Sequence, residues 1–409
     1  MANEMSALTE IAAEAIDRLA ITPAEQLHMG IAKRVFDSIG VASIPTRLAH
    51  DRLATSAYAV TRIAMTRGAG ALATALRNAS RDADIRPLSR SADGRMVIGA
   101  LNGMAGDRLA ERGSDLAVRM AVRDHGVDVS CTRDAVAHAF PTATSQIAVF
   151  VHGLGGTEEW WQRRGRGNRT QPRRHFGAGL RDDAGCTPVY VRFNSGLHVS
   201  QNGAHLSALL EALIDAWPVQ VQRLVLIGHS MGGLVIRSAC HAGTHAERRW
   251  PALTTHVVTL GTPHHGAPLA KVVHRTAWAL RALPETRPMA QILDTRSAGI
   301  RDLRFGALHE DDWRDESLDA FDDRRREIPL LPGCQYTFIT ATITVNPNHR
   351  VGLLLGDLLV RTESASGRCR ERVIPVAPES VVHLGGLTHL NLLDHPQVYV
   401  VVRDAISLH

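Results

Sequence analysis

The chain is nearly without lysine: Lys33 and Lys271 are the only two among its 46 basic residues, and the rest are arginine. With a formal net charge of only +5, this bias reflects arginine-rich coding rather than a nucleic-acid footprint, and no helix-turn-helix, RNA-recognition or zinc-finger pattern accompanies it. Long apolar runs are also missing. The least polar stretch, Leu224 to Ile236, is broken by Gly228, His229 and Ser230, which excludes a transmembrane segment there. The first residues carry Glu4, Glu10, Glu14 and Asp17, where an export signal needs a basic end and an unbroken apolar run. A cytoplasmic protein is expected, peripheral to a membrane at most. Cys131, Cys186, Cys240, Cys334 and Cys369 form no CxxC pair, so neither a disulfide framework nor a zinc site is indicated, and no cofactor or other metal is expected.

What is present is a globular composition, 44% hydrophobic and 21% charged, long enough for two modules. Residues 1–112 read as a helical N-terminal region. Thr22-Pro23-Ala24-Glu25 combines a capping hydroxyl, a proline at the first helical position and a glutamate three residues on, predicting a helix start. Leu27, Ile31, Val35 and Ile39 continue as one apolar stripe, and Gly40 is its stop. Leu53, Ala57, Val60 and Ala64 make a second stripe, ending near Gly68. Both stripes need something to pack against, through which this region could self-associate or meet a membrane surface.

Residues 113–409 read as a second module. LAVRMAVR, the turn Asp124-His125-Gly126 and VDV predict a hairpin. Strands are then expected at 147–151, 189–193, 224–227, 257–260, 336–341 and 381–384, with helices between them, notably from Ser200 to Trp217 and from Met231 to His241. That is an α/β pattern: a mostly parallel sheet covered on both faces. Residues 267–332, with Trp278, Pro284, Pro288 and Trp313, break the alternation and read as an inserted cap or lid.

In RLVLIGHSMGGLVIRSA a buried strand runs into Gly228-His229-Ser230-Met231-Gly232 and on into a helical pattern. The strand-turn-helix context gives this GxSxG its meaning: an exposed serine on a strained turn, with glycines where a Cβ would collide. Upstream, the apolar strand Ile147 to Val151 ends in His152-Gly153-Leu154-Gly155-Gly156. No GK[ST] follows that glycine loop, which argues against a phosphate-cradling P-loop.

VFVHGLGG, GHSMGG, LGTPHHGAPLA, GDLLV and GLTHLNLLDHP together resemble α/β-hydrolases of the lipase and esterase type, including the GPI inositol deacylase-like group. The resemblance runs from about Leu116 to the C-terminus. It implies the α/β-hydrolase fold, Ser230 as nucleophile and an oxyanion hole built from the backbone N–H groups of Leu154 and Met231. It also implies Asp357 after a late strand as the acid and His389 after the last strand as the base. Glu363 and Asp394 are rival acids; His383 and His395 are neighbouring histidines. The implied activity is hydrolysis of a carboxylic ester with an apolar acyl group, of small-molecule or lipid type, through an acyl-enzyme. The same residues would serve a thioesterase or an acyltransferase, and a non-catalytic lipid-binding module is the reading from another class. Asn194, Ser195 and Gly196 either line the pocket or form a polar turn. His264 and His265 are expected to be structural. Trp160-Trp161 and Arg163, Arg164, Arg166, Arg169, Arg173 and Arg174 are expected at the pocket mouth, where arginine forks could hold an anionic substrate.

Overall fold

A computed structural model describes residues 14, 17, 21–40, 43–82, 87–162, 174–267, 296–314, 325–370 and 372–407. Contacts divide the chain into two compact units, one formed by residues 1–88, 113–116 and 272–296 and the other by 89–112, 117–271 and 297–409. Most of the expected cap, including Trp278, Pro284 and Pro288, lies outside the described residues. So do Arg163, Arg164, Arg166, Arg169 and Arg173 of the arginine-rich segment.

In the smaller unit, α1 (Thr22–Ile39) and α2 (Ile44–Asp82) are neighbours. Gly40 ends α1 as expected, at φ 79° with its N–H on the Phe36 carbonyl. The cap differs. Ile21, not Thr22, precedes the helix, and no side chain caps it. Glu25 is drawn instead to Arg62, which also bonds Asp17 and Thr22. The ion pairs available from α2 outcompete a reciprocal cap on one turn. The stripe on α2 also differs: Leu53 is 73% and Val60 64% exposed. The face meeting α1 is the adjoining one, about a quarter turn round the helix, with His50 and Tyr58 against His28 and with Ala54 buried. Among the described residues no helix is long and apolar enough to cross a membrane.

In the larger unit the first helix is α3 (Ala92–Glu111), capped by Ser91, whose side chain accepts from the Gly94 N–H. α3, read from the sequence as part of the 1–112 region, groups by its contacts with the larger unit. Gly94, Gly99, Gly103 and Gly106 deprive α3 of a legible apolar stripe, and Gly99, Gly103 and Gly106 bring its backbone close to its neighbours instead.

Eight strands follow: β1 (Ala121–Asp124), β2 (Val127–Val129), β3 (Gln146–Val151), β4 (Thr187–Arg192), β5 (Arg223–His229), β6 (Thr254–Leu260), β7 (Gln335–Thr342) and β8 (Val381–Gly385). They form one sheet in the order β2-β1-β4-β3-β5-β6-β7-β8. The entry hairpin is antiparallel, β1 is antiparallel to β4, and every later pairing is parallel. Period-two alternation sorts the strand side chains between two cores. Ile147, Val149, Leu224 and Leu226 join one; Ala148, Phe150, Val225 and Ile227 join the other. Phe176 and Leu180 from α4 (Phe176–Ala184) enter the second core. The first is closed by Leu206, Leu210 and Leu213 of α5 (Val199–Ala216) with Leu234, Val235 and Ile236 of α6 (Met231–His245). Val398, Val402 and Ile406 of α7 (Pro396–Ser407) complete the second. Parallel strands buried on both faces explain why these segments read as continuous apolar runs.

Candidate active site

β5 runs at the sheet's centre and leads directly into Ser230, the residue before α6, at φ 54° and ψ −122°. A non-glycine residue there costs on the order of 1–3 kcal/mol, sustained only when its surroundings fix it. They do: the Ser230 N–H donates to the Leu260 carbonyl at 2.8 Å, and its carbonyl accepts from Gly233 N–H and the Thr262 hydroxyl. Any Cβ on Gly228 would lie 2.6 Å from the Gly233 nitrogen, and one on Gly232 2.3 Å from the Val151 carbonyl oxygen. Strand and helix meet too closely for any other residue at those two positions. Ser230 itself remains partly exposed.

The structure brings His389 and Asp357 together. His389 Nδ1 lies 2.7 Å from Asp357 Oδ2, with both residues buried. Asp357 Oδ1 accepts from the N–H groups of Leu359 and Val360, and the His389 N–H donates to the Asp357 carbonyl. Each member thus orients the other through side chain and backbone. Of the rival acids, Glu363 is exposed in the first turn of a short helix and Asp394 ends the turn that follows His389. His383 bonds the Thr340 hydroxyl and the Pro347 carbonyl within the sheet edge, and His395 immediately precedes α7.

Two contacts tie this pair to the serine turn. A Cβ built on Gly261, the residue after the carbonyl that holds the Ser230 N–H, would lie 3.0 Å from Asp357 Oδ2 and 3.1 Å from His389 Cε1. His229, the residue before Ser230, places its Nε2 3.1 Å from the His389 carbonyl, with the two rings 4.6 Å apart. Burial, with His389 close by, displaces the His229 imidazole well below its usual range. It is neutral, so Nε2–H is the donor to that carbonyl. The GxSxG pattern gives this residue no such duty.

The glycine loop after β3 lies against the serine: a Cβ on Gly153 would be 3.0 Å from Ser230 Cβ. Leu154 follows it, packed on the first core, and Met231 opens α6, where first-turn N–H groups have no acceptor within the helix. His152 is driven down to about 4 by burial. As a neutral ring its Nε2 accepts from the Phe193 N–H and its Nδ1 donates to the Gly153 carbonyl, locking the ends of β3 and β4 together.

Asn194, Ser195 and Gly196 prove to be braces. Ser195 Oγ accepts from the Gly155 N–H at 2.9 Å, and the Asn194 amide bridges the Gly106 carbonyl and the Gly196 N–H. α3 seats directly on this arrangement. A Cβ on Gly103 would lie 2.8 Å from the Gly155 Cα and nitrogen, and one on Gly106 would collide with the Asn194 amide. Sequence reading missed α3 here, though glycine at 99 and 103, one turn apart on one face, is the signal of a close backbone approach, and Gly106 follows a kink at Ala105. The buried Arg123–Glu158 pair at 2.8 Å and the Arg95–Glu159 pair tie the segment after the glycine loop to β1 and α3. Trp161 is not at a pocket mouth: it is buried between Phe150, Phe176 and His229. Arg174, the described end of the arginine-rich segment, pairs with Asp182. His264 is structural as expected, stacked on Phe338 at 4.2 Å.

A sheet in this order, a serine at a strained turn between its central strand and the next helix, and a carboxylate–histidine pair beyond its late strands define a class: the chain has the α/β-hydrolase fold. More particularly, residues 193–306 match the PGAP1-like alpha/beta domain family, so the likeness read from the motifs is borne out. No curated protein matches the chain. It is similar to the mature form of a Bacillus licheniformis lipase, at 20% identity and a TM-score of 0.41 over 63% of this chain and 91% of that one. An Aspergillus fumigatus lipase B has 11% identity and a TM-score of 0.39 over 69% and 59% of the two chains. A thermophilic Thermogutta terrifontis esterase has 13% identity and a TM-score of 0.36 over 65% and 91%.

Proposed function

We infer that the chain is a serine hydrolase that cleaves a carboxylic ester of an apolar acyl group through an acyl-enzyme on Ser230. The observation that carries this reading is the buried 2.7 Å contact between His389 Nδ1 and Asp357 Oδ2, tied to the serine turn through Gly261 and His229. With Nδ1–H donated to the carboxylate, Nε2 is the basic nitrogen. A neutral imidazole so oriented takes the hydroxyl proton of Ser230 as the oxygen attacks the ester carbonyl. The carbonyl π bond opens to an oxyanion facing the N–H groups of Leu154 and Met231, the latter at the positive end of α6. Collapse expels the alcohol, which receives the proton from His389. Water then repeats the sequence, freeing the acid and restoring Ser230. Asp357 stays ionised throughout, holding the tautomer and offsetting the imidazolium charge.

The test is labelling with a fluorophosphonate probe alongside turnover of acyl esters and thioesters graded by chain length. Ser230 is expected to be the single labelled residue. Ser230→Ala is expected to lower kcat by a factor on the order of 10^6 with an unchanged circular-dichroism melt. Labelling at another residue, or turnover that survives Ser230→Ala, refutes the reading.

A further inference from the structure

A cavity of about 340 Å³ is lined by Arg237, Arg325, Arg326 and Arg372 together with His264 and His265. Ser230, Asp357 and His389 do not line it. Arg237 projects from α6 two turns beyond Ser230 and is only 6% exposed. Its Nη1 reaches only His264 Nδ1, at 3.5 Å, and its buried Nε has no partner. Among the described residues Arg237 makes no ion pair. Around it Arg325 donates to the His264 carbonyl, and Arg372 donates to the Arg325 carbonyl. Arg326, at the open side, pairs with Asp311. Glu327, itself exposed, is the one carboxylate in the lining. Neither histidine supplies negative charge, and burial keeps His264 neutral.

A nearly buried arginine with no ion-pair partner among the described residues is costly by several kcal/mol, a cost that an anion bound in the cavity would offset. The cavity is large enough for a small ligand, and its polar wall offers donors and almost no negative charge. The guanidinium of Arg237, its Nε unpartnered, with the positive charge of Arg325 and Arg372 beside it, suits a compact dianion better than a singly charged carboxylate.

We propose that this cavity is a binding site for a phosphate-class dianion, either free phosphate or the phosphomonoester of a larger molecule, with Arg237 as its innermost ligand. The site is separate from the hydrolytic one, and its test does not depend on turnover. Binding is measured on the full chain by calorimetry with two probes, inorganic phosphate and glycerol 3-phosphate, a phosphomonoester that carries no carboxylic ester for the hydrolytic site. Thermal melts accompany it in phosphate and in sodium chloride of equal ionic strength. Phosphate is expected to raise Tm where chloride does not, and Arg237→Met to weaken Kd at least about 30-fold, close to two pairwise charge-assisted hydrogen bonds. Arg237→Met is also expected to raise Tm in anion-free buffer, because it removes an uncompensated buried charge. Arg372→Gln, away from the core, is expected to weaken binding without that rise. Binding of inorganic phosphate alone assigns the site to the free ion, and binding of both probes to a phosphomonoester head. Absence of binding by either probe, or an unchanged Kd in both variants, overturns the proposal. So does a lower Tm for Arg237→Met without phosphate, which would mean that a carboxylate of the chain already neutralises the arginine.

Discussion

Replacing Gly103 by alanine sets two effects against each other at one atom. In the interior of α3 the change relieves the glycine penalty, a gain of about 0.8–1 kcal/mol. The added Cβ meets the Cα and nitrogen of Gly155 at 2.8 Å, and both are backbone atoms that cannot swing aside as a side-chain end could. Overpacking of this kind costs about 1–3 kcal/mol, leaving a net loss of roughly 0–2 kcal/mol. The larger consequence is positional. Relief requires the loop from Gly153 to Gly155 to retreat by roughly 0.5–1 Å, and misplacement on that scale costs up to about 10²-fold in rate when it moves a group that stabilises the transition state. The expected result is a kcat on a short-chain nitrophenyl ester lower by about 10- to 100-fold, with Tm lowered slightly or unchanged. A variant with higher Tm and normal kcat would refute the close seating of α3 on the loop.

Asp357→Asn is expected to lower kcat by about 10^4 while Glu363→Gln leaves it unchanged. The amide oxygen remains on the N–H groups of Leu359 and Val360, turning its NH2 toward His389 and forcing the proton onto Nε2; equal losses in the two variants would reassign the acid. Stability is expected to fall on acidification below pH 6.5. The His152 pKa is lowered to about 4 by burial, so its contribution is complete above the unfolded value and is lost as pH falls toward 4, at most on the order of 3 kcal/mol. His229 and His264, also displaced downward by burial, act in the same direction. Asp302, raised by burial, acts oppositely, losing stability as pH rises through its folded value. Urea midpoints at pH 7.5 and 5 measure the balance, and an equal or higher midpoint at pH 5 contradicts it.

The strands and the serine turn were legible because buried parallel strands and a glycine-flanked elbow leave dense local signals. Each expected strand lies within an observed one, save that β4 ends at Arg192 rather than Phe193 and that the first hairpin strand, read from Leu116 to Arg123, begins only at Ala121. The closeness of Asp357 and His389 could be anticipated only by likeness, since nothing local links residues 32 positions apart. What escaped reading was decided by partners distant in sequence. Glu25 looked like half of a cap until Arg62 claimed it, and Trp161 looked like a pocket residue until Phe150 and Phe176 enclosed it. Leu53 and Val60 looked like a packing stripe, but α1 lies against the face carrying His50 and Tyr58. α3 fastens through atoms that glycine lacks, so a search for apolar periodicity passes over it.

That same seam bears on the order in which the molecule can assemble. Its glycines make α3 a poor helix in isolation, by about 1 kcal/mol each relative to alanine. The groups that receive it, Gly155 and Asn194, leave the ribosome later, after roughly 45–85 further residues and thus on the order of ten seconds at ordinary synthesis rates. The segment from Ala92 to Glu111 is therefore expected to take its seated form only when β3 and β4 have appeared to hold it, so that the brace and the glycine loop form in a single late step.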